Sequence, residues 1–341
     1  MWPANCFEGG MKRTDMRLRQ LSLAFLAILV IALTISTQAQ AQTYPNRPIR
    51  LISPFPPGGG NDVLARIIGA KLADRVKASI VIENRPGAGA VIGIQALAKS
   101  APDGYTLVLS GSTLAVAPTL YKRQPFDPNN DFAPVALVAH YPFLLVATSS
   151  LPIKSVAELV KQAKQRPGEI MYASPGAATS QHLFAELLKV QTGIDLRHIP
   201  YNGTAPAVVD IVAGRVSLMF AAAAPSIPLL KDGTLRALGV SSAARLAELP
   251  DVPPIADAVP GFDESNWSII LAPAGTPPDI VNKLHEAFKD VMAMPEVEKQ
   301  LANVGMIPII SPSPDELRTF ISTAVTRWGK IVQQAGIAGM H

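Results

Sequence analysis

Short apolar runs alternate with stretches whose apolar residues recur at helical spacing along most of the chain. Ile49–Ser53, IRLIS, reads as a strand. Leu64, Ile67, Ile68, Leu72 and Val76 then line one face at 3.6-residue spacing, which predicts a helix. The strand Ser79–Glu83, a glycine-rich turn, a helix to about Lys99 and the strand Tyr105–Ser110 follow. FLLVATS opens a second series, and Ser155 with Glu158 has capping-box spacing for a helix ending near Pro167-Gly168. IMYAS, a helix over Gln181–Gln191, LRHIP, a helix over Ala205–Ala213 and VSLMF continue it. Near the end, Thr276-Pro277 caps a helix with Ile280, Val281, Leu284, Phe288 and Val291 inward. Ser313-Pro314 with Glu316 starts another, carrying Leu317, Phe320, Ile321 and Trp328. This alternation predicts an α/β fold with mainly parallel sheets, and its length favours two domains. Composition shifts near Pro142 and Asn266. The expectation is therefore a first domain built from residues 42–141 and 266–341 around a middle domain, 142–265.

The first 41 residues break the pattern. Lys12, Arg13, Arg17 and Arg19 precede the apolar run Leu21–Ser36, and Ala39-Gln40-Ala41 supplies a small-x-small cleavage site. A cleaved signal peptide ending at Ala41 is expected, with translation starting at Met1, Met11 or Met16. The run is 16 residues, where a membrane span needs about 20. Cleavage removes the one cysteine, Cys6, and leaves 26 basic against 24 acidic residues, a net +2. A nearly neutral chain without a Lys/Arg run argues against nucleic acid or an anionic membrane surface as partner. Export to the periplasm also argues against a nucleotide cofactor, and no cofactor is expected.

Ligands of open α/β sheets bind beyond the carboxyl ends of the strands. Four such ends carry small or polar residues: PFPPGGGND after the first strand, SGST (Ser110–Thr113, with Ser112 and Thr113 as candidates), SPGAATS (Ser174–Ser180) and PYNGT (Pro200–Thr204). None contains Lys, Arg or Cys. They offer backbone N–H groups, helix N-termini and hydroxyls, which suit a carboxylate and not turnover. Gly58-Gly59-Gly60 lacks the lysine of a P-loop. GAGAVIG, Gly87–Gly93, stands beyond Asn84-Arg85-Pro86 instead of directly after its strand, and there is no G-x-S-x-G elbow. The five histidines, 140, 182, 198, 285 and 341, show no metal-ligand spacing, so no metal site is expected. His182, just inside a helix, is a candidate to brace the 174–180 loop.

YPNRPIRLISPFPPGGGNDVLAR, ENRPGAGAVIG, SPGAATSQHL, PYNGTAPAVVDIVAGRVSLMF and LPDVPPIADAVPGF, in this order from Tyr44 onward, resemble the Bug family, the periplasmic solute-binding receptors of tripartite tricarboxylate transporters. The resemblance implies a two-domain Venus flytrap of type II periplasmic-binding-protein topology that closes on a small carboxylate. It implies that Phe55, Pro57, Gly58, Gly59, Gly60 and Asp62, with Gly87, Ala88, Gly89 and Ala90, face the ligand from one domain. Ser174, Gly176, Thr179, Tyr201, Asn202, Gly203 and Asp210 would face it from the other. The chain departs from the usual family pattern at Ala177-Ala178, Thr179, Asn202 and Ala221. The missing charged side chains turn the expectation from amino acids toward a dicarboxylate or an aromatic or hydroxylated acid.

The expected function is therefore non-enzymatic capture of a carboxylate by a monomeric receptor that hinges near His140–Phe143 and Ser265–Ile270 and delivers its ligand to a membrane transporter. Two alternatives remain open at this point. One is an exported hydrolase using Ser174 or Ser112 as nucleophile with His182 as base. The other is a receptor feeding a sensor kinase.

Overall fold

The computed structural model describes residues 44–340; the expected signal peptide lies outside the described residues. The chain separates into a segment up to Asn46 and one compact unit, Arg47–His341. The unit contains two sheets. The first orders its six strands β11-β4-β10-β3-β1-β2 and the second its five β7-β6-β8-β5-β9, where β1 is Ile49–Ser53, β2 Ile80–Asn84, β3 Thr106–Ser110, β4 Phe132–Tyr141, β5 Phe143–Thr148, β6 Met171–Ser174, β7 Arg197–Pro200, β8 Leu218–Ala222, β9 Leu235–Val240, β10 Asn266–Pro273 and β11 Ile307–Pro308.

Each sheet has a parallel part built by helical crossovers. Helix α1 (Gly60–Val76) joins β1 to β2, and α2 (Val91–Ala98) joins β2 toward β3. Both β2 and β3 pair parallel to β1. Beyond β3 comes α3 (Thr113–Leu120), and α4 (Val156–Gln165) precedes β6. In the second sheet α5 (Ser180–Thr192) and α6 (Thr204–Val212) carry the chain between β6, β7 and β8, and β6 pairs parallel to both neighbours. A helix that returns the chain to the same end of a sheet leaves the next strand parallel.

The expectation of mainly parallel sheets is corrected by the strands that change sheet. β4 belongs to the first sheet and β5 to the second, with Pro142 alone between them. β10 returns to the first sheet and runs antiparallel to both β3 and β4, while β5 runs antiparallel to β8 and β9. A strand that enters a sheet from the far side must run against the crossover strands, so both sheets are mixed. Ser241 ties the two crossings together. Its Oγ accepts from Phe143 N at 2.9 Å and donates to Glu264 O at 2.7 Å.

The remaining helices, α7 (Ala223–Lys231), α8 (Pro278–Met292), α9 (Pro295–Ala302) and α10 (Pro314–Gln334), complete the layers. α10 begins with the full capping box expected from Ser313 and Glu316. At α4 the Ser155 hydroxyl accepts from Glu158 N, but the Glu158 carboxylate accepts from Lys154 N, one residue earlier than a box requires. One apolar cluster runs from α3 and α10 (Val116, Leu120, Trp328, Val332) into the second sheet and its helices (Phe143, Leu145, Phe184, Phe220). Within it Phe184 and Trp328 stack with ring centroids 6.1 Å apart. The two halves thus share an apolar seam.

Candidate functional site

Because β1, β2 and β3 are parallel, Ser53, Asn84 and Ser110 end at one edge of the first sheet. Ser174 and Pro200, register partners, end at one edge of the second. The loops that carry Gly58, Gly89, Gly176 and Gly203 leave from these edges, and they meet.

The first loop is fixed by its own polar residues. Gly58 turns the chain at φ +80° and Gly59 is extended at the start of α1. Asp62, buried in the first turn, accepts from Gly58 N at 3.0 Å, Asn84 Nδ2 at 2.8 Å and Arg66 Nε at 2.9 Å. Burial pushes its carboxyl up, but the Arg66 guanidinium and the Gly58 and Asn84 donors outweigh this and hold it below the ordinary value. Asn84 also donates to Phe55 O, and Asn61 links Ser53 Oγ to Leu109 O. Half-buried Phe55 and exposed Pro57, Gly58 and Gly60 therefore sit on a braced backbone. Asp62 braces the loop, its oxygens accepting from Gly58, Asn84 and Arg66.

The turn Gly87–Ala90 has positive φ at all four residues, two of them alanine. A β-carbon on Gly89 would lie 1.8 Å from Ala177 O. That is inside any permitted contact, so only glycine lets this turn reach the backbone of the 174–180 loop. Gly176 lies opposite, where an added Cβ would be 3.4 Å from Gly89 Cα, and Gly203 faces Pro56 in the same way, at 3.1 Å from its ring. The loops of the two sheets are thus in backbone contact, a closed arrangement.

Hydroxyls reinforce the contact. Thr113 Oγ1 lies 2.8 Å from Gly89 O and 3.2 Å from Ala178 O, a donor between the two halves. Ser180 Oγ donates to Asn266 Oδ1, so Ser112, 2.6 Å away, donates to Ser180. Thr179 Oγ1 donates to Gly176 O at 2.7 Å. Ser180 and Asn266 were not among the expected site residues; a helix start and a crossing strand give no sign in sequence of pairing with each other. Ser110 Oγ, buried at the end of β3, has no hydrogen-bond partner.

Ser174 is fully buried, and the imidazole beside it belongs to His198, whose Nε2 is 2.6 Å from Ser174 Oγ. His182 stacks against His198 with centroids 4.2 Å apart, near Glu186. This corrects one expectation: the histidine beside Ser174 is His198 and not His182. Tyr201 OH donates to Asp210 Oδ2 at 2.6 Å, and burial with that bond pushes the phenol up to about 12. Arg215 donates twice to Asp210 Oδ1, and these bonds, with that from Tyr201, hold Asp210 below the ordinary carboxylate value. Asp210 therefore anchors Tyr201. Asn202 is exposed at the rim. Among the described residues, no group of three or more His, Cys, Asp or Glu is placed to hold a metal ion.

A double α/β layer with two strand crossings and glycine loops converging between the sheets is the architecture of a periplasmic binding protein. Comparison narrows it: residues 64–337 match the tripartite tricarboxylate transporter family receptor, and the chain belongs to that family, the Bug-type solute-binding receptors. It is 38% identical over 317 residues to protein BugT of Bordetella pertussis, covering 92% of this chain and 97% of that one. An R. palustris protein solved with adipate superposes with a TM-score of 0.80 at 36% identity, covering 86% and 99% of the two chains. MatC of Rhodopseudomonas palustris with bound malate gives 0.78 at 30% identity, covering 85% and 100%.

Proposed function

We propose that this receptor captures a small dicarboxylate in the periplasm, closes on it, and hands it to the membrane subunits of a tripartite tricarboxylate transporter. The observation that carries the reading is the meeting of Gly89 with the 174–180 backbone. Loops without Lys or Arg side chains converge there, and they bring together N–H groups, hydroxyls and the start of α5. Those groups hold a carboxylate through oriented dipoles. Two relatives solved with aliphatic diacids, adipate and malate, favour that class over the aromatic acids.

In this reading residues 42–141 and 266–341 form one moving body and 142–265 the other. Rotation occurs where β4 passes into β5 and where the chain enters β10, and the seam of Phe184 and Trp328 stays packed as the pivot. The residues that face the ligand in this reading are Gly58–Gly60, Gly87–Ala90, Ser112, Thr113, Ser174, Gly176, Thr179 and Tyr201–Gly203, with Ser110 added. Asp62, His182 and Asp210 hold these in place. Cleavage at Ala41 delivers the protein to the periplasm as a monomer.

A thermal-shift panel of millimolar di-, tri- and aromatic acids tests this. An acid at 1,000-fold over its Kd stabilises the native state by about 4 kcal/mol, a rise of a few degrees. A shift with adipate- or malate-like acids supports the reading. Absence of any shift, in protein unfolded and refolded to strip bound ligand, overturns it.

A further inference from the structure

We propose that a basic cavity where α2 ends, away from the ligand loops, docks an acidic segment of a protein partner. The inference stands apart from the carboxylate reading, because none of the residues it uses belongs to the cleft.

The strand register builds the cavity. Arg50 pairs with Val81 on one side and with Thr106 on the other. Glu83 is two residues beyond Val81, so Arg50, Thr106 and Glu83 share one face of the sheet. Helix α2 covers that face, with Val91, Ile94 and Leu97 packed on Ile52 and Val108. Past Leu97 the cover stops. An open cavity of about 630 Å³ remains there, between Arg50 and Thr106 on the sheet and Lys99 and Ser100 after the helix. Arg50 and Thr106 stand near the amino ends of β1 and β3, whereas the ligand loops leave from the carboxyl ends.

The lining is prearranged for carboxylates. Arg47, Arg50, Arg85 and Lys99 all line the cavity. Arg50 Nη1 lies 3.3 Å from Glu83 Oε2, and its Nη2 donates to Thr106 Oγ1 at 3.1 Å. Arg85 donates to the other Glu83 oxygen through Nε alone, which leaves both terminal nitrogens of its fork for an incoming acid. Arg47 is fixed between Asp103, at 2.6 Å, and the Tyr105 ring, 4.2 Å below its guanidinium carbon. Exposed Lys99 has no ion-pair partner among the described residues. Two carboxylates against four cations leave a surplus of two positive charges. Residues 42–341 together carry a net +2, so this one cavity holds as much excess charge as the whole segment.

Size and exposure select the occupant. The cavity has the volume of a site for a drug-sized ligand, more than one small anion fills. Its arginines are about half exposed, and single exposed ion pairs hold weakly. A chain that presents several carboxylates at once gains from engaging them together, which a free anion does not.

The experiment titrates fluorescein-labelled hexaglutamate with the purified protein, read by anisotropy at low and high salt. The proteins are wild type, Lys99→Glu, the double variant Arg85→Gln/Lys99→Gln, and Lys161→Gln on α4 as a control. Wild type and Lys161→Gln are expected to bind alike, saturably, and more weakly as salt rises. Lys99→Glu is expected to bind about fivefold and the double variant about tenfold more weakly. Lys99 is exposed and unpaired, so its variant folds whatever the change at Arg85 does. No saturable binding by wild type overturns the inference, as does equal binding by wild type and both variants. Displacement of the peptide by free glutamate at the same carboxylate concentration also overturns it, because the cavity would then be a site for free anions.

Discussion

Asp62 does its work on the protein's own backbone. Three donors converge on a carboxylate that is almost entirely buried, and one of them is the N–H of Gly58, which sets the glycine loop. Removing it leaves Asn84 and Gly58 short of an acceptor, so Asp62→Ala is expected to lower stability by about 1–3 kcal/mol at pH 7. Urea unfolding measures this. The pH dependence has a definite sign. A carboxyl held below its ordinary value stabilises the fold above that value, 3.8, and loses this contribution as pH falls through the lower folded-state value. The gap between wild type and Asp62→Ala should therefore be flat from pH 7 to about 5 and shrink only below the ordinary carboxylate range. At this scale the sequence showed which loops matter but not which atoms face inward. The family resemblance placed Asp62 and Asp210 at the ligand, and its position just inside the helix after the 174–180 loop singled out His182. Asp62 accepts from Gly58, Asn84 and Arg66, Asp210 accepts from Tyr201 and Arg215, and His182 stacks on His198, partners set by tertiary packing. Likewise, His198 stands beside Ser174 through the pairing of β6 with β7, which no spacing along the chain specifies.

Among the elements, the crossover units were legible because their apolar periodicity and caps agree. α1, α4, α5, α6, α8 and α10 fall where the spacing predicts them, within a few residues. The strands that change sheet were harder to read. β4 carries Pro134 inside a continuous apolar run, and the ladder to β10 shifts register between Ile270 and Leu271, where Leu271 pairs with Pro134. A proline cannot donate to the ladder, so the strand tolerates it at an irregularity. α3 hides behind Pro118 in the same way. The start of α5 carries a testable contact between elements. Ser180→Ala cuts the chain from Ser112 to Asn266 and leaves two buried polar groups short of a partner. The expected loss is about 1–3 kcal/mol by denaturant unfolding, with Ser180→Thr costing less because it keeps the hydroxyl.

For the molecule as a whole, family membership and the two-layer architecture were readable from motif order, whereas the closed arrangement was not, since it depends on contacts between loops far apart in sequence. The seam around Phe184 and Trp328 joins the halves on one side, and the glycine contacts join them on the other. The central claim is that closure over a carboxylate needs backbone contact at Gly89. Calorimetric titration of wild type and Gly89→Ala with adipate and malate tests it most directly. The turn already has positive φ at both flanking alanines, and an alanine at Gly89 costs about 1–2 kcal/mol of backbone strain, so the variant still folds. Saturable binding by the wild type and at least about tenfold weaker binding by Gly89→Ala, roughly 1.4 kcal/mol, is the predicted result. Equal binding by the two proteins would contradict the account.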